Sequence, residues 1–214
     1  MEAVVSQDGR SLSSIHAAVL TDGGPENYKK WAPVYEQEHA GIYIGHQYLY
    51  SKWLTYYPQT SLQSEFKHKI LDAGCGTGFV ANNYLSLVQE GCVEIYGADL
   101  SPDMLEIAKT KNVYSELKVA NLKEQLPYQE ESFDSIVCGG VFVQGHCGPE
   151  CLPHLMRVLK KGGVLIASVR NEFFRETKEE WAKQIQECPC ELKEQKEMPY
   201  YNDMTAVMLV ISKA

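Results

Sequence analysis

Residues 70–85 read ILDAGCGTGFVANNYL, an apolar run that opens into glycine at every second position, Gly74, Gly76 and Gly78. A strand ending near Ala73 and a helix over 79–89 would place these glycines in the strand-to-helix turn, where bare backbone lets a ligand touch main chain. Their spacing discriminates among ligands. A dinucleotide fingerprint starting at Gly74 needs glycine where Phe79 stands; one starting at Gly76 ends on Ala81, a weaker match. The G-K-S/T ending of a phosphate-binding P-loop is absent. What is left is a D-x-G-x-G-x-G turn.

Outward from this turn, hydrophobic periodicity alternates between short strands and helices. It predicts strand 68–73, helix 79–89, strand 93–99, helix 102–111, strand 116–120, a long loop and strand 133–139. Helix 149–160, closed by KKGG, follows, then strand 163–169, helix 172–186 and strands near 190–197 and 204–213. Ser101 before Pro102 and Gly148 before Pro149 mark helix starts. Strands separated by helices require right-handed crossovers and hence a parallel sheet covered on both faces. The fold class is therefore α/β, doubly wound, with ligands at the carboxyl ends of its strands. Upstream, residues 1–24 lack periodicity and read as a flexible leader. Two helices over 27–57, the first bent near Pro33, present Tyr28, Trp31 and Tyr35 along one face, as core or as a lid.

The chain has 214 residues, 44% of them hydrophobic, enough for one domain, expected over 25–214. A formal net charge of −8 gives no field for phosphate backbone or an anionic membrane, and no apolar run reaches bilayer-spanning length. The expectation is a cytoplasmic monomer or weak homodimer that binds neither nucleic acid nor membrane. Seven cysteines, an odd number, suit a reducing compartment. The CxxxC at 147–151 and CxC at 188–190 lack partners at zinc-site spacing, so no metal is expected. The stretch KEQLPYQEES reads as a solvated acidic turn.

Four segments in register, ILDAGCGTG, YGADLSPDMLEIAK, FDSIVCGGVF and LMRVLKKGGVLI, resemble the class I S-adenosylmethionine-dependent methyltransferases. More narrowly, YKKWAPVYEQ, QGHC and PYYNDMTAVMLVISKA are similar to the methyltransferase-like proteins of the Williams-Beuren syndrome region. The resemblance implies a seven-stranded sheet whose last strand is antiparallel, with S-adenosyl-L-methionine as cofactor and S-adenosyl-L-homocysteine as product.

It also implies site residues. Gly74, Cys75 and Gly76 would lie against the cofactor's amino acid and ribose, Gly78 would complete the turn, and Asp72 would hold the ammonium directly or through water. Asp99, 21 residues after Gly78, would accept both ribose hydroxyls. Leu100 and Met104 would flank the adenine, Asn121 and Leu122 would meet its edge, and Gly139 would close the cofactor site at the fourth strand, with Tyr28, Trp31 and Tyr35 over it. His146 would stand near the transferred methyl, as catalytic base or as a loop histidine bonding backbone or the cofactor carboxylate; His39 and His46 are weaker candidates for the base. The implied function is methyl transfer to an O or N atom of a small-molecule acceptor. A cofactor-binding regulatory protein without turnover and a nicotinamide-dependent oxidoreductase are the alternatives.

Overall fold

In the computed structural model, which describes residues 4–5, 11–12, 25–62 and 65–214, seven strands form one sheet in the order β5-β4-β3-β6-β7-β9-β8. Its strands are β3 (His68–Ala73), β4 (Val93–Asp99), β5 (Tyr114–Val119), β6 (Phe133–Phe142), β7 (Leu159–Arg170), β8 (Cys190–Tyr201) and β9 (Met204–Lys213). β3 pairs in parallel with both β4 and β6, and β6 in parallel with β7. β9 runs antiparallel to both of its neighbours, β7 and β8. A seven-stranded sheet with its last strand antiparallel is the one the sequence resemblance implied. A two-residue pair, β1 (Val4–Val5) with β2 (Ser11–Leu12), stands apart from the sheet. The remainder of the leader expected over 1–24 lies outside the described residues.

Both sheet faces are covered, which is why the strands read as continuous apolar runs. Alternation along β9 divides them: Val207, Leu209 and Ile211 enter one core with Phe142, Leu155 and Trp181. Ala206, Met208 and Val210 enter the other with Leu49, Trp53 and Tyr84. The first face is packed by α6 (Leu152–Val158) and α7 (Asn171–Glu187), the second by α3 (Gly45–Tyr56). Trp53 of α3 is fully buried and donates its Nε1–H to Ser135 Oγ at 2.8 Å, so α3 belongs to the sheet's covering layer. α1 (Pro25–Trp31) and α2 (Tyr35–His39) meet at the bend expected near Pro33. A third small cluster joins Trp31 and Ala32 to Met104 of α5 (Pro102–Thr110).

Several element bounds differ from the sequence expectation for local reasons. The helix expected over 79–89 opens as a 3-10 turn, Ala81–Tyr84, before α4 (Leu85–Gln89). Asn83 Nδ2 donates to the Val80 carbonyl there at 3.0 Å, a local bond that competes with helix. KKGG does not close a helix: α6 ends at Val158 and residues 160–163 belong to β7, where the register with β6 shifts between Phe133 and Ser135. A Cβ on Gly163 would lie 2.7 Å from the Asp134 carbonyl oxygen, so this bulge needs glycine. The acidic loop after β5 is not fully solvated. Leu126 is buried, and Arg157 donates to the carbonyls of Leu126 and Tyr128 at 2.6 and 2.9 Å.

Candidate active site

The carboxyl ends of β3, β4, β6 and β7 open into a cavity of about 630 Å³, a volume within the usual range for small-ligand sites. At its floor the amides of Gly74 and Cys75 both donate to the Ala98 carbonyl, at 2.7 and 3.1 Å, which folds the turn back against β4. Gly74 has φ +72, and a side chain there would overlap Val141 of β6. Gly76 has φ +52, and a Cβ there would point into open space. The first glycine is required by packing and backbone; the second keeps main chain accessible to a ligand.

Asp99 ends β4 with both oxygens engaged by this framework. Oδ2 accepts the Gly76 amide at 2.8 Å and Oδ1 the Ser101 amide at 2.9 Å. Burial pushes its carboxyl above the usual range, and the amides of Ser101, Gly76 and Leu100 pull it back. Each oxygen has a further lone pair, so the carboxylate can accept two more donors from the cavity. Ser101 is also the N-cap of α5, accepting the Met104 amide at 3.3 Å, so the cap and Asp99 are parts of one turn.

The site residues expected from the sequence line the cavity, except Asp72, Gly78 and the weaker base candidate His46. Asp72 is 2% exposed. Its Oδ2 accepts the Tyr114 hydroxyl at 2.7 Å, and its Oδ1 has no partner among the described residues. Burial raises its pKa to about 7 against the opposing Tyr114 hydrogen bond. Gly78, φ +84, faces the Tyr114 ring and completes the turn. Asn121 lines the cavity with its side chain committed to its own loop, Oδ1 accepting the Lys123 amide and Nδ2 donating to Glu124.

Over the floor, Tyr28, Trp31, Tyr35 and His39 form a chain of rings. Trp31 and Tyr35 meet edge-on at 4.7 Å, and Tyr35 stacks on His39 at 4.1 Å. Trp31 Nε1 donates to Glu38 at 2.7 Å, and Lys111 of the α5 end pairs with Glu36. The Tyr28 hydroxyl and His146 Nδ1 are hydrogen-bonded at 2.8 Å, so the first helix meets the loop after β6 directly. Burial holds the Tyr28 phenol protonated. With that hydroxyl as donor the imidazole carries its proton on Nε2; with Nδ1–H as donor, Nε2 is the basic nitrogen. His46 is outside the lining and packs on Phe79 and Tyr43.

The opposite wall was not expected from the sequence. Tyr43, Arg170, Tyr200, Tyr201 and Met204 line it, joined by Cys147 beside His146. The Ile44 amide donates to the Tyr200 carbonyl at 3.0 Å and the Asn202 amide to Ile42 at 3.2 Å. These bonds fasten the segment before α3 to the β8–β9 turn. That turn falls at the carboxyl end of β8, and Arg170 ends β7; position at strand ends was the available signal. Among the described residues, no group of three His, Cys, Asp or Glu side chains is placed to hold a metal, and no helix is long and apolar enough to cross a membrane.

Residues 65–205 match the family model of the methyltransferase domain, and the chain belongs to that family. It is 31% identical over 175 residues to methyltransferase-like protein 27 of Homo sapiens, a match covering 78% of this chain and 69% of that protein. It is 30% identical over 102 residues to malonyl-[acyl-carrier protein] O-methyltransferase of Serratia marcescens, covering 47% of this chain and 37% of the bacterial one. In fold it is similar to a TehB-like SAM-dependent methyltransferase from Corynebacterium glutamicum, with TM-score 0.62 and 21% identity over 89% of this chain and all of that one.

Proposed function

We propose that the cavity binds S-adenosylmethionine and that the protein transfers its methyl group to an oxygen or nitrogen of a small-molecule acceptor. The observation that carries this reading is Asp99, held by two amides at the mouth of the glycine turn with spare lone pairs beside an accessible Gly76. Those acceptors fit the hydroxyls of an adenosyl ribose, and the amides of Gly74, Cys75, Gly76 and Gly78, already bonded within the protein, make no cradle for a pyrophosphate. Leu100 and Met104 suit the adenine faces, and the orphaned Oδ1 of Asp72 suits an ammonium reached directly or through water.

When bound, the cofactor supplies an electrophilic methyl on a sulfonium whose leaving group departs as a neutral thioether. The protein's task is then chiefly positioning, which supplies up to about 7–11 kcal/mol in favourable cases. Tyr28, Trp31 and Tyr35 exclude water from above as a lid of α1 and α2. His146 receives the proton that an attacking hydroxyl or protonated amine gives up, or bonds the bound ligands without taking it. The whole of residues 25–214 acts as one domain in this reading.

Titration calorimetry with S-adenosylmethionine, S-adenosylhomocysteine and NAD tests the cofactor. Binding of the first two and not the third is expected; the reverse pattern would overturn the reading. Screening phenols, amines and carboxylates for S-adenosylhomocysteine release then tests turnover. Cofactor binding with no release across the panel would leave a sensing protein.

A further inference from the structure

Arg170 is the last residue of β7, at the ligand end of the sheet, paired with Ala206 of β9. Among the described lining residues, the arginine and lysine side chains are Arg170 and Lys123. Lys123 follows Asn121 and Leu122 at the expected adenine edge and is ion-paired with Glu150 at 3.4 Å. Arg170 is differently placed. Its Nε is ion-paired with Glu172 at 2.8 Å, on the exposed side where that carboxylate is 65% accessible, and no other hydrogen bond or ion pair engages its guanidinium among the described residues. A guanidinium carries five N–H donors, so pairing through Nε leaves the donors of its two terminal nitrogens for a ligand.

Its surroundings define the rest of the ligand. Tyr200 and Tyr43 meet edge-on at 5.2 Å beside it, an aromatic wall in which the Tyr43 hydroxyl is buried without a partner among the described residues. The positive charge of Arg170 reaches Tyr200, where it opposes the rise in phenol pKa that burial causes. Besides Asp99 of the floor, the acid in the described lining is Glu38, which already accepts Trp31 Nε1. One guanidinium, with an acid in the same cavity and no second cation beside it, matches a monoanion better than a phosphate dianion.

Resting on the methyltransferase reading, we propose that the acceptor is a small carboxylic acid with a flat apolar body, its carboxylate held by Arg170 and its body against Tyr43 and Tyr200. The same chemistry would suit the carboxylate of the cofactor's own amino acid, and the experiment separates the two. Acetate, benzoate and 3-phenylpropionate are each titrated against the matching amide, with the protein free and saturated with S-adenosylhomocysteine. The acids are expected to bind at least about tenfold tighter than their amides where the body fits, the loss of a charge-assisted bond. In Arg170→Gln that ratio should fall towards one with S-adenosylhomocysteine affinity unchanged, and Arg170→Lys should keep part of it. Equal binding of acids and amides by the wild-type protein, or binding of neither, overturns the proposal without recourse to any variant. So does an Arg170→Gln variant that loses S-adenosylhomocysteine affinity and keeps the acid preference, which would give the arginine to the cofactor. A protein that ignores S-adenosylhomocysteine yet prefers the acids would fell the methyltransferase reading and leave the carboxylate subsite standing.

Discussion

Asp99 shows how one side chain shapes the floor. Its oxygens hold the amides of Gly76 and Ser101, so truncation removes the ribose acceptors and loosens the turn together. Asp99→Ala is expected to weaken cofactor binding by at least about 1.5 kcal/mol, the lower end for a charged hydrogen bond. Calorimetry reads this, and unchanged affinity would refute the ribose assignment. Tyr28→Phe probes a different link. It removes the partner of His146 Nδ1 and frees the tautomer that the pair fixes. If His146 is the base, kcat should fall by about tenfold or more and its pH profile should move, with cofactor affinity nearly constant. A fall in affinity with an unmoved profile would make the pair a ligand contact. Cys147 lines the same cavity, and the hydrogen bond from Cys151 lowers its pKa. Iodoacetamide labelling at Cys147, read by peptide mass, should therefore slow when S-adenosylhomocysteine is present, while labelling at Cys188 outside the cavity should not.

At the scale of elements, α1 and α2 have little to stand on besides the cavity. Their packing runs through Trp31, 5% exposed against Met104 of α5, and Met104 also lines the cavity. Trp31→Ala should cost about 3–5 kcal/mol of local packing, raising the KM for acceptor and the protease sensitivity of residues 25–40 with little effect on the sheet. Limited proteolysis followed by mass spectrometry checks it; global unfolding would show that α1 is part of the core. The same comparison shows what a sequence discloses. The succession of strands and helices and the place of Asp99 at the end of β4 were legible, because short apolar runs alternate with helical periodicity and the glycine turn precedes that strand end; the antiparallel last strand came only with the family resemblance. KKGG misled, because a glycine pair closes a helix or permits a bulge with identical letters, and only the nearness of the Asp134 carbonyl decides between them. The wall of Tyr43, Arg170 and Tyr200 was illegible for another reason. Its members come from three elements distant along the chain, and each reads alone as an ordinary strand end or turn residue.

At the scale of the whole molecule, β3 carries opposite titrations at its two ends. At its start His68 bonds Ser135 at 2.9 Å, and burial lowers its pKa to about 4. At its other end burial raises Asp72 to about 7. Between about pH 4 and 6.5 the unfolded chain holds more protons at His68 than the native one, so His68 makes stability rise with pH. Between about pH 4 and 7 the native state holds more protons at Asp72, so Asp72 makes stability fall with rising pH. The two slopes oppose in the wild-type protein. They should separate in denaturant melts compared with the wild type: Asp72→Asn makes the slope more rising and His68→Gln more falling, against the contributions of the buried His39, His46 and Asp99 that all three proteins share. Ligand binding links the second titration to the proposed function. A cofactor ammonium near Asp72 favours the ionised carboxylate, so binding must release the proton that the free protein keeps below about pH 7. The affinity for S-adenosylhomocysteine is therefore expected to fall as pH drops below about 7, approaching tenfold per unit. The proton released should be visible as a buffer-dependent heat in calorimetry. Asp72→Asn should bind more weakly at pH 8 and show neither the slope nor the buffer dependence. A wild-type affinity flat from pH 5.5 to 8 would place the ammonium elsewhere, whatever the fate of Asp99.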